Sequence, residues 1–189
     1  LHLLSRRQRQ MCIRDRNKRE KGYAWQTAIG LQAVDGLKTS KYLIDTAIRN
    51  IEGDISIDEA NSLLNSYYEE NPKSDTGDRT EEADKVSVRI VKVLSETGFS
   101  FTPNEYISIH KKLFTGIYRH AGKIRDYNIT KKEWVLDGET VLYGNASELR
   151  DTLEYDFSEE RKFSYKGLSI NEIIHHLAVF VSRLWQVHI

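Results

Sequence analysis

The stretch Ser169–Ile189, SINEIIHHLAVFVSRLWQVHI, decides how the whole chain is read. Ser169 with Glu172 three residues later is a capping box, in which each side chain satisfies a backbone N–H at the open end of a helix. From there Ile170, Ile173, Ile174, Leu177, Val181, Leu184 and Trp185 recur at helical spacing and predict a helix over Ile170 to about Val187. Projected at ~100° per residue, His188 falls on the same apolar stripe. The pattern therefore predicts a buried helix that delivers a histidine at its end. A lone histidine in such a place is more often structural than catalytic. His175 and His176 are adjacent, point to different faces, and cannot chelate one metal together.

Working outward, the rest is also mostly helical. Leu37–Ile51 places Leu43, Ile44, Ala47, Ile48 and Ile51 at helical spacing, and Gly53 stands where a helix stops. Ser56 and Glu59 form a second capping box, opening a helix to about Tyr68. Glu70–Glu82, ENPKSDTGDRTEE, is polar and turn-rich, as a linker is. Glu82–Leu94 follows as a helix with Val86, Ile90, Val93 and Leu94 on one side, closed by Gly98. Thr102-Pro103-Asn104-Glu105 is a helix start of cap, N1 proline and box partner, and that helix carries residues to Ile117. The period changes once. Glu133–Gly144, EWVLDGETVLYG, is two short β-type runs around Asp137-Gly138, a hairpin signal. A helix over about Ala146–Phe157 completes an all-α pattern interrupted by one hairpin.

Of the 189 residues, 39% are hydrophobic and 30% charged, with formal net charge zero. No apolar run is long enough to span a bilayer and no signal peptide is evident, so no membrane association and a cytoplasmic location are expected. The zero conceals an asymmetry. Of 28 basic and 28 acidic side chains, five and one fall in residues 1–16, leaving 23 and 27 in the remainder. Arg6–Arg16, RRQRQMCIRDR, holds those arginines with the chain's only Met and Cys. It could be a basic arm for nucleic acid or a basic tail, but it matches one reading frame of a transposase-based sequencing adapter over eleven residues. Residues 1–16 are therefore expected to be non-native and are set aside. Without them the chain is acidic, and nucleic-acid binding is not expected. The remainder has no cysteine, so a disulfide and a thiol nucleophile are excluded there. No Gly-rich phosphate loop, CxxC pair or HExxH is present.

Over about Glu81–Ile189 the chain resembles the Fic (Fic/Doc, or Fido) family. The resemblance rests on five strings: EADKVSVRIVKVL; NEYISIHKKLFTGIY; AGKIRDYNI, with Gly122, Arg125 and Asn128; the hairpin EWVLDGETVLYG; and the terminal HHLAVFVSRLWQVHI. In the family that last helix runs into a loop of pattern His-x-Phe-x-acidic-Gly-Asn-x-Arg, of which this sequence holds His188 and Ile189. The implied fold is an all-α Fic-type bundle interrupted by one β-hairpin flap and truncated at its C-terminus. The implied organisation is 17–78 as an N-terminal helical region with an inhibitory helix, and 79–189 as an incomplete Fido domain.

The resemblance implies transfer of AMP from ATP, with Mg²⁺, to a Ser, Thr or Tyr hydroxyl of a target protein. His188 would be the general base, a role that suits a group titrating near neutrality. The hairpin would take the target's backbone by strand addition, with Val135, Leu136, Thr140, Val141 and Leu142 as the docking stretch. A ribbon that only packs Trp134 and Tyr143 inward is the competing reading. Family members carry an inhibitory motif (S/T)xxxE(G/N). Ile48–Gly53, IRNIEG, makes Glu52 the preferred match, although Ile48 replaces Ser or Thr. Ser66–Asn71, SYYEEN, makes Glu70 the alternative. A self-inhibited enzyme and a toxin with an antitoxin partner both fit. As a fragment the polypeptide is expected to be inactive, binding ATP·Mg²⁺ weakly. A non-catalytic binding module, or a transferase of the same fold with another nucleotide or phosphocholine donor, stays open beside it.

Overall fold

The computed structural model describes residues 2–72, 79–132 and 137–188, with side chains described from Asp15 onward. Among these residues the chain forms seven α-helices and one two-stranded antiparallel sheet. It divides into two compact units, Leu1–Thr97 and Gly98–Ile189. None of the described helices is long and apolar enough to cross a membrane.

The first unit holds α1 (His2–Val34), α2 (Lys41–Glu52), α3 (Ile57–Glu70) and α4 (Thr80–Ser95). The backbone of α1 runs without a break through Arg6–Arg16. Its buried face is Trp25, Ala28 and Gln32, spaced three and four apart. These meet Leu43 and Ala47 of α2, Ala60 and Leu64 of α3, and Val88 and Val91 of α4. The expected boundary after residue 78 therefore differs from the packing. α4 lies against α1 and α3, inside the first core. The expected face of α4 also shifts. Val86 is buried, but Leu94 is more than half exposed, and Ala83, Asp84, Ser87, Val88 and Val91 are buried instead. With valines at 86, 88, 91 and 93, the helix is apolar on more than one side, and spacing alone does not select the face.

Caps set the helix ends. Ser40 accepts from the N–H of Leu43, so α2 begins at Lys41 and not at Leu37. Gly53, at φ 90°, closes it with its N–H on the carbonyls of Arg49 and Asn50. The Ser56–Glu59 box has both of its hydrogen bonds. Two buried polar groups knit the unit together. Asp84 has no exposed surface and accepts from the Ser40 N–H at 2.9 Å, the Tyr68 hydroxyl at 2.7 Å and the Ser40 hydroxyl. Asn50 accepts from the Trp25 indole N–H at 3.0 Å and donates to the Ile55 carbonyl at 2.9 Å.

The second unit holds α5 (Pro103–Phe114), β1 (Thr130–Lys132), β2 (Thr140–Leu142), α6 (Leu149–Lys162) and α7 (Ile170–Val187). Thr102 and Pro103 start α5 as expected, but it stops at Phe114, before Ile117. A single 3-10 turn, Ala146–Glu148, precedes α6. The Ser169–Glu172 box opens α7. The core is an aromatic knot of Phe101, Phe157 and Phe180, with ring centroids 5.1–5.5 Å apart, flanked by Leu149, Leu153 and Val187.

Two expectations fail in this unit. A two-residue Asp137-Gly138 loop would pair Leu136 with Glu139. The sheet instead pairs Thr130 with Leu142, Lys131 with Val141, and Lys132 with Thr140. The described part of the first strand is Thr130–Lys132, and residues 133–136 fall outside the described residues. Asp137 and Gly138 do take positive φ, 54° and 84°, so the Asp-Gly signal reports a real turn at a different register. The stripe on α7 also divides. Phe180 and Val187 are buried and Ile173 and Leu184 half-buried, whereas Ile170, Ile174, Leu177, Val181 and Trp185 face outward. A helix that is apolar nearly all round offers two candidate faces, and only tertiary packing chooses.

Candidate functional site

The turn between α5 and β1 assembles the end of α7. Gly122 sits at φ 72°, and a Cβ there would lie 2.5 Å from the Lys111 Cβ, so no other residue fits. Its N–H donates to Nδ1 of His110 at 2.9 Å, which fixes that imidazole with its lone pair on Nδ1. Three residues on, the buried Arg125 commits its guanidinium to three backbone carbonyls. Nε donates to His188 at 3.2 Å, one terminal nitrogen to Tyr127 at 2.7 Å, and the other to Gly144. Asn128 accepts from the Ala146 N–H at 2.8 Å, and the Gly144 N–H donates to the Gln186 carbonyl at 3.0 Å. The strand leaving the hairpin and the last turn of α7 are thereby tied to one fork of donors.

His188 is the C-cap of α7, at φ 41° and ψ 79°, and it is exposed. This corrects the projection that put it on the apolar stripe. The chain turns left-handed at His188, so the side chain leaves the helical path, a conformation that non-glycine residues adopt at some cost. Its ring stacks on Tyr143 at 4.8 Å and 27°, and Tyr143 packs in turn on Trp185 at 5.4 Å. Tyr143 does face inward, as the packing reading of the hairpin required. The other part of that reading, Trp134, lies outside the described residues.

Two more imidazoles stand nearby. His110 and His120 have ring centroids 6.1 Å apart, and His120 stacks on Tyr118 at 5.2 Å. Burial pushes the His110 pKa down, and the charges of His120 and His188 push it further the same way. His110 thus stands beside His120 and within electrostatic reach of His188.

Of the docking stretch, Thr140, Val141 and Leu142 form β2, and Val135 and Leu136 lie outside the described residues. β2 pairs with β1 on one side, and no third strand among the described residues takes its other edge. Leu142 is 77% exposed. The inhibitory candidates belong to the first unit. Glu52 ends α2 and is ion-paired with Lys18 of α1, while Glu70 ends α3 on an exposed turn. His176 has a structural role. It meets the buried Glu160 at 2.5 Å and stacks on Phe163 at 3.5 Å. Tyr165 donates to the same carboxylate, and burial with that acceptor pushes its phenol up to about 12.

Sequence reasoning placed Arg125 in a motif and Tyr143 in a packing ribbon, but did not foresee that these two hold His188, through a hydrogen bond and a ring stack. The signal available was the string Gly122-x-x-Arg125-x-x-Asn128, whose partners are backbone carbonyls and amides, and these leave no pattern in a sequence. It also missed a cavity of about 250 Å³ beside the end of α7, lined by Gly144, Leu149, Thr152, Tyr155, Asp156, Arg183, Gln186 and Val187. There Asp156 holds Arg183 through Oδ1 at 3.3 Å, and its buried Oδ2 has no hydrogen-bond partner. Among the described residues no group of three His, Cys, Asp or Glu side chains is placed to hold a metal ion. The chain matches no protein-family model, and no curated protein and no solved structure is significantly similar to it.

Proposed function

We propose that this chain carries the base and the target-docking edge of a Fic-type protein adenylyltransferase. The supporting observation is the fork of Arg125, which joins the carbonyls of His188 and Gly144 and so couples a histidine to the exit of an open-edged hairpin. The sequence resemblance supports the same reading. A target segment laid along β2 would add a third strand through its backbone, with Leu142 in contact with an apolar side chain. A hydroxyl on that segment, presented at His188, would lose its proton to the imidazole as its oxygen attacks the α-phosphorus of ATP. The bond from that phosphorus to the bridging oxygen breaks, and pyrophosphate leaves with the electron pair. The described residues do not fit Mg²⁺, since no three His, Cys, Asp or Glu side chains among them are placed together to hold a metal ion.

One observation favours a second reading. The buried Arg125 gives one N–H from each of its three nitrogens to a backbone carbonyl, which favours a role in holding the main chain over one as a phosphate clamp. A hairpin that recruits a protein without catalysis fits that arrangement.

Because the fragment alone is expected to be inactive, the experiment is incubation with ATP labelled on the α-phosphate and with extract protein, for the intact gene product that contains this chain, its His188→Ala variant and its Leu142→Asp variant. The adenylyltransferase reading expects label on a protein band, lost in His188→Ala and reduced at least tenfold in Leu142→Asp. Label that survives His188→Ala overturns it. Unlabelled target retained by the wild type and released by Leu142→Asp establishes the binding module instead. Parallel incubations with other labelled nucleotides identify the donor.

A further inference from the structure

The turn dipeptide of the hairpin has a chemistry of its own, separate from strand pairing and target docking. Asp-Gly occurs twice in the chain, as Asp35-Gly36 and as Asp137-Gly138. In such a pair the side-chain carboxyl carbon and the next main-chain nitrogen can close a five-membered ring, and glycine brings no Cβ to hinder the closure. All four residues are exposed. An added Cβ would meet nothing within 4 Å at either glycine, so access does not separate the two sites.

Hydrogen bonding does. Asp35-Gly36 follows the last turn of α1. The Gly36 N–H donates to the Ala33 carbonyl at 3.1 Å, and the Leu37 N–H donates to the Gln32 carbonyl at 2.9 Å. The nitrogen that would attack Asp35 is held by a carbonyl, and the peptide beyond it is pinned as well. The hairpin offers no such restraint. Asp137 takes φ 54°, outside helix and strand. The nearest ladder pair among the described residues is Lys132 with Thr140. Among the described residues no hydrogen bond holds the Gly138 N–H, and no hydrogen bond or ion pair engages the Asp137 carboxylate.

We propose that Asp137 is a site of spontaneous main-chain isomerisation to isoaspartate, and that Asp35, in the same dipeptide, is protected from it. The Gly138 nitrogen gives up its proton and attacks Cγ of the protonated Asp137 carboxyl group. The N–Cγ bond forms, and one carboxyl oxygen leaves as water with both protons, which closes a succinimide ring. Water then opens the ring. Cleavage of the N–Cγ bond restores aspartate. Cleavage of the bond between that nitrogen and the main-chain carbonyl carbon of residue 137 leaves isoaspartate. One water is lost and one is gained, so the mass is unchanged and no oxidant or reductant takes part. The product's main chain runs through Cβ and Cγ, so the turn gains one main-chain carbon, and the former main-chain carboxyl becomes a free carboxylate. This change falls in the segment that leads into β2, and it is independent of adenylyl transfer.

The test is incubation of the 189-residue chain at about 37 °C and about pH 7.4 in water enriched in oxygen-18, both folded and in urea, followed by peptide mapping. Isoaspartate is recognised by heavy oxygen in the peptide, a shifted retention time and resistance to a protease that cuts before aspartate. In urea the two sites should convert at rates within about threefold of each other, because tertiary restraint is then gone. In the folded chain Asp137 should stay within about threefold of its urea rate, whereas Asp35 should slow at least about tenfold, since two backbone hydrogen bonds must open first. Asp137→Glu, which would need a six-membered ring, should abolish conversion at residue 137 and leave the Asp35 rate unchanged. Equal rates at the two sites of the folded chain overturn the proposal. So does an Asp137 that stays aspartate when folded while the chain in urea converts, or heavy-oxygen uptake at residue 137 that survives Asp137→Glu.

Discussion

Arg125 donates from Nε to the backbone carbonyl of His188, 63 residues further along the chain, at 3.2 Å. The candidate base is thus positioned through its main chain, by a guanidinium that also holds Tyr127 and Gly144. Lysine has one nitrogen and cannot reproduce a fork to three carbonyls. Arg125→Lys should therefore lower the stability of the second unit by roughly 2–4 kcal/mol, from the loss of two charge-assisted bonds. Denaturant unfolding followed by near-UV circular dichroism of the second unit's aromatic knot measures it.

Two glycines separate backbone strain from steric contact. Gly167 sits at φ 85° with open space around it, so Gly167→Ala should cost about 1–2 kcal/mol from conformation alone. Gly122 adds a Cβ clash with Lys111 at 2.5 Å, so Gly122→Ala should cost a further 1–3 kcal/mol or so. Equal costs in urea unfolding would show that the turn moves aside.

Asp84 accepts three hydrogen bonds from neutral donors and is fully buried. Asparagine turns one of its oxygens into a donor facing a donor. Asp84→Asn should destabilise the first unit by roughly 2–4 kcal/mol while leaving the second unchanged. Domain-resolved hydrogen exchange distinguishes the two.

The His110 pKa is depressed in the folded chain by burial first, and then by the charges of His120 and His188. Its unfolded value is about 6.5, so between the two values the unfolded chain binds more protons. The contribution is fully present above about pH 6.5 and is lost as pH falls through the folded value. Melting temperature of the second unit should fall on acidification from pH 7 to 5. His110→Gln, which keeps an acceptor for the Gly122 N–H, should flatten that dependence. A slope unchanged in the variant would assign it to other groups.

Local signals carried far in this sequence. Ser56–Glu59, Thr102-Pro103 and Ser169–Glu172 marked their helix starts to the residue, because capping is a contest settled within four residues. Faces and registers were less legible. α4 and α7 are apolar on more than one side, and periodicity cannot say which side a neighbour will cover. The hairpin register differs from a two-residue Asp137-Gly138 loop because Lys132 pairs with Thr140, a pairing set by contacts across the strands and not by the turn dipeptide. The end of α7 was misread for a related reason. His188 was projected as if the helix continued, whereas the carbonyl bond to Arg125 accompanies a left-handed turn. Buried polar anchors such as Asp84 and Asn50 look like ordinary surface residues in a sequence, since their partners are far along the chain.

Trp25 has 1% of its surface exposed and donates its indole N–H to Asn50, and it is the first unit's single tryptophan. Trp185, in the second unit, is nearly half in water. Their emission therefore differs in colour, blue-shifted for the sealed indole and red-shifted for the wetted one. The chain has a built-in optical label for its N-terminal half, and a Trp25→Phe difference spectrum isolates the melting of that half without any added dye.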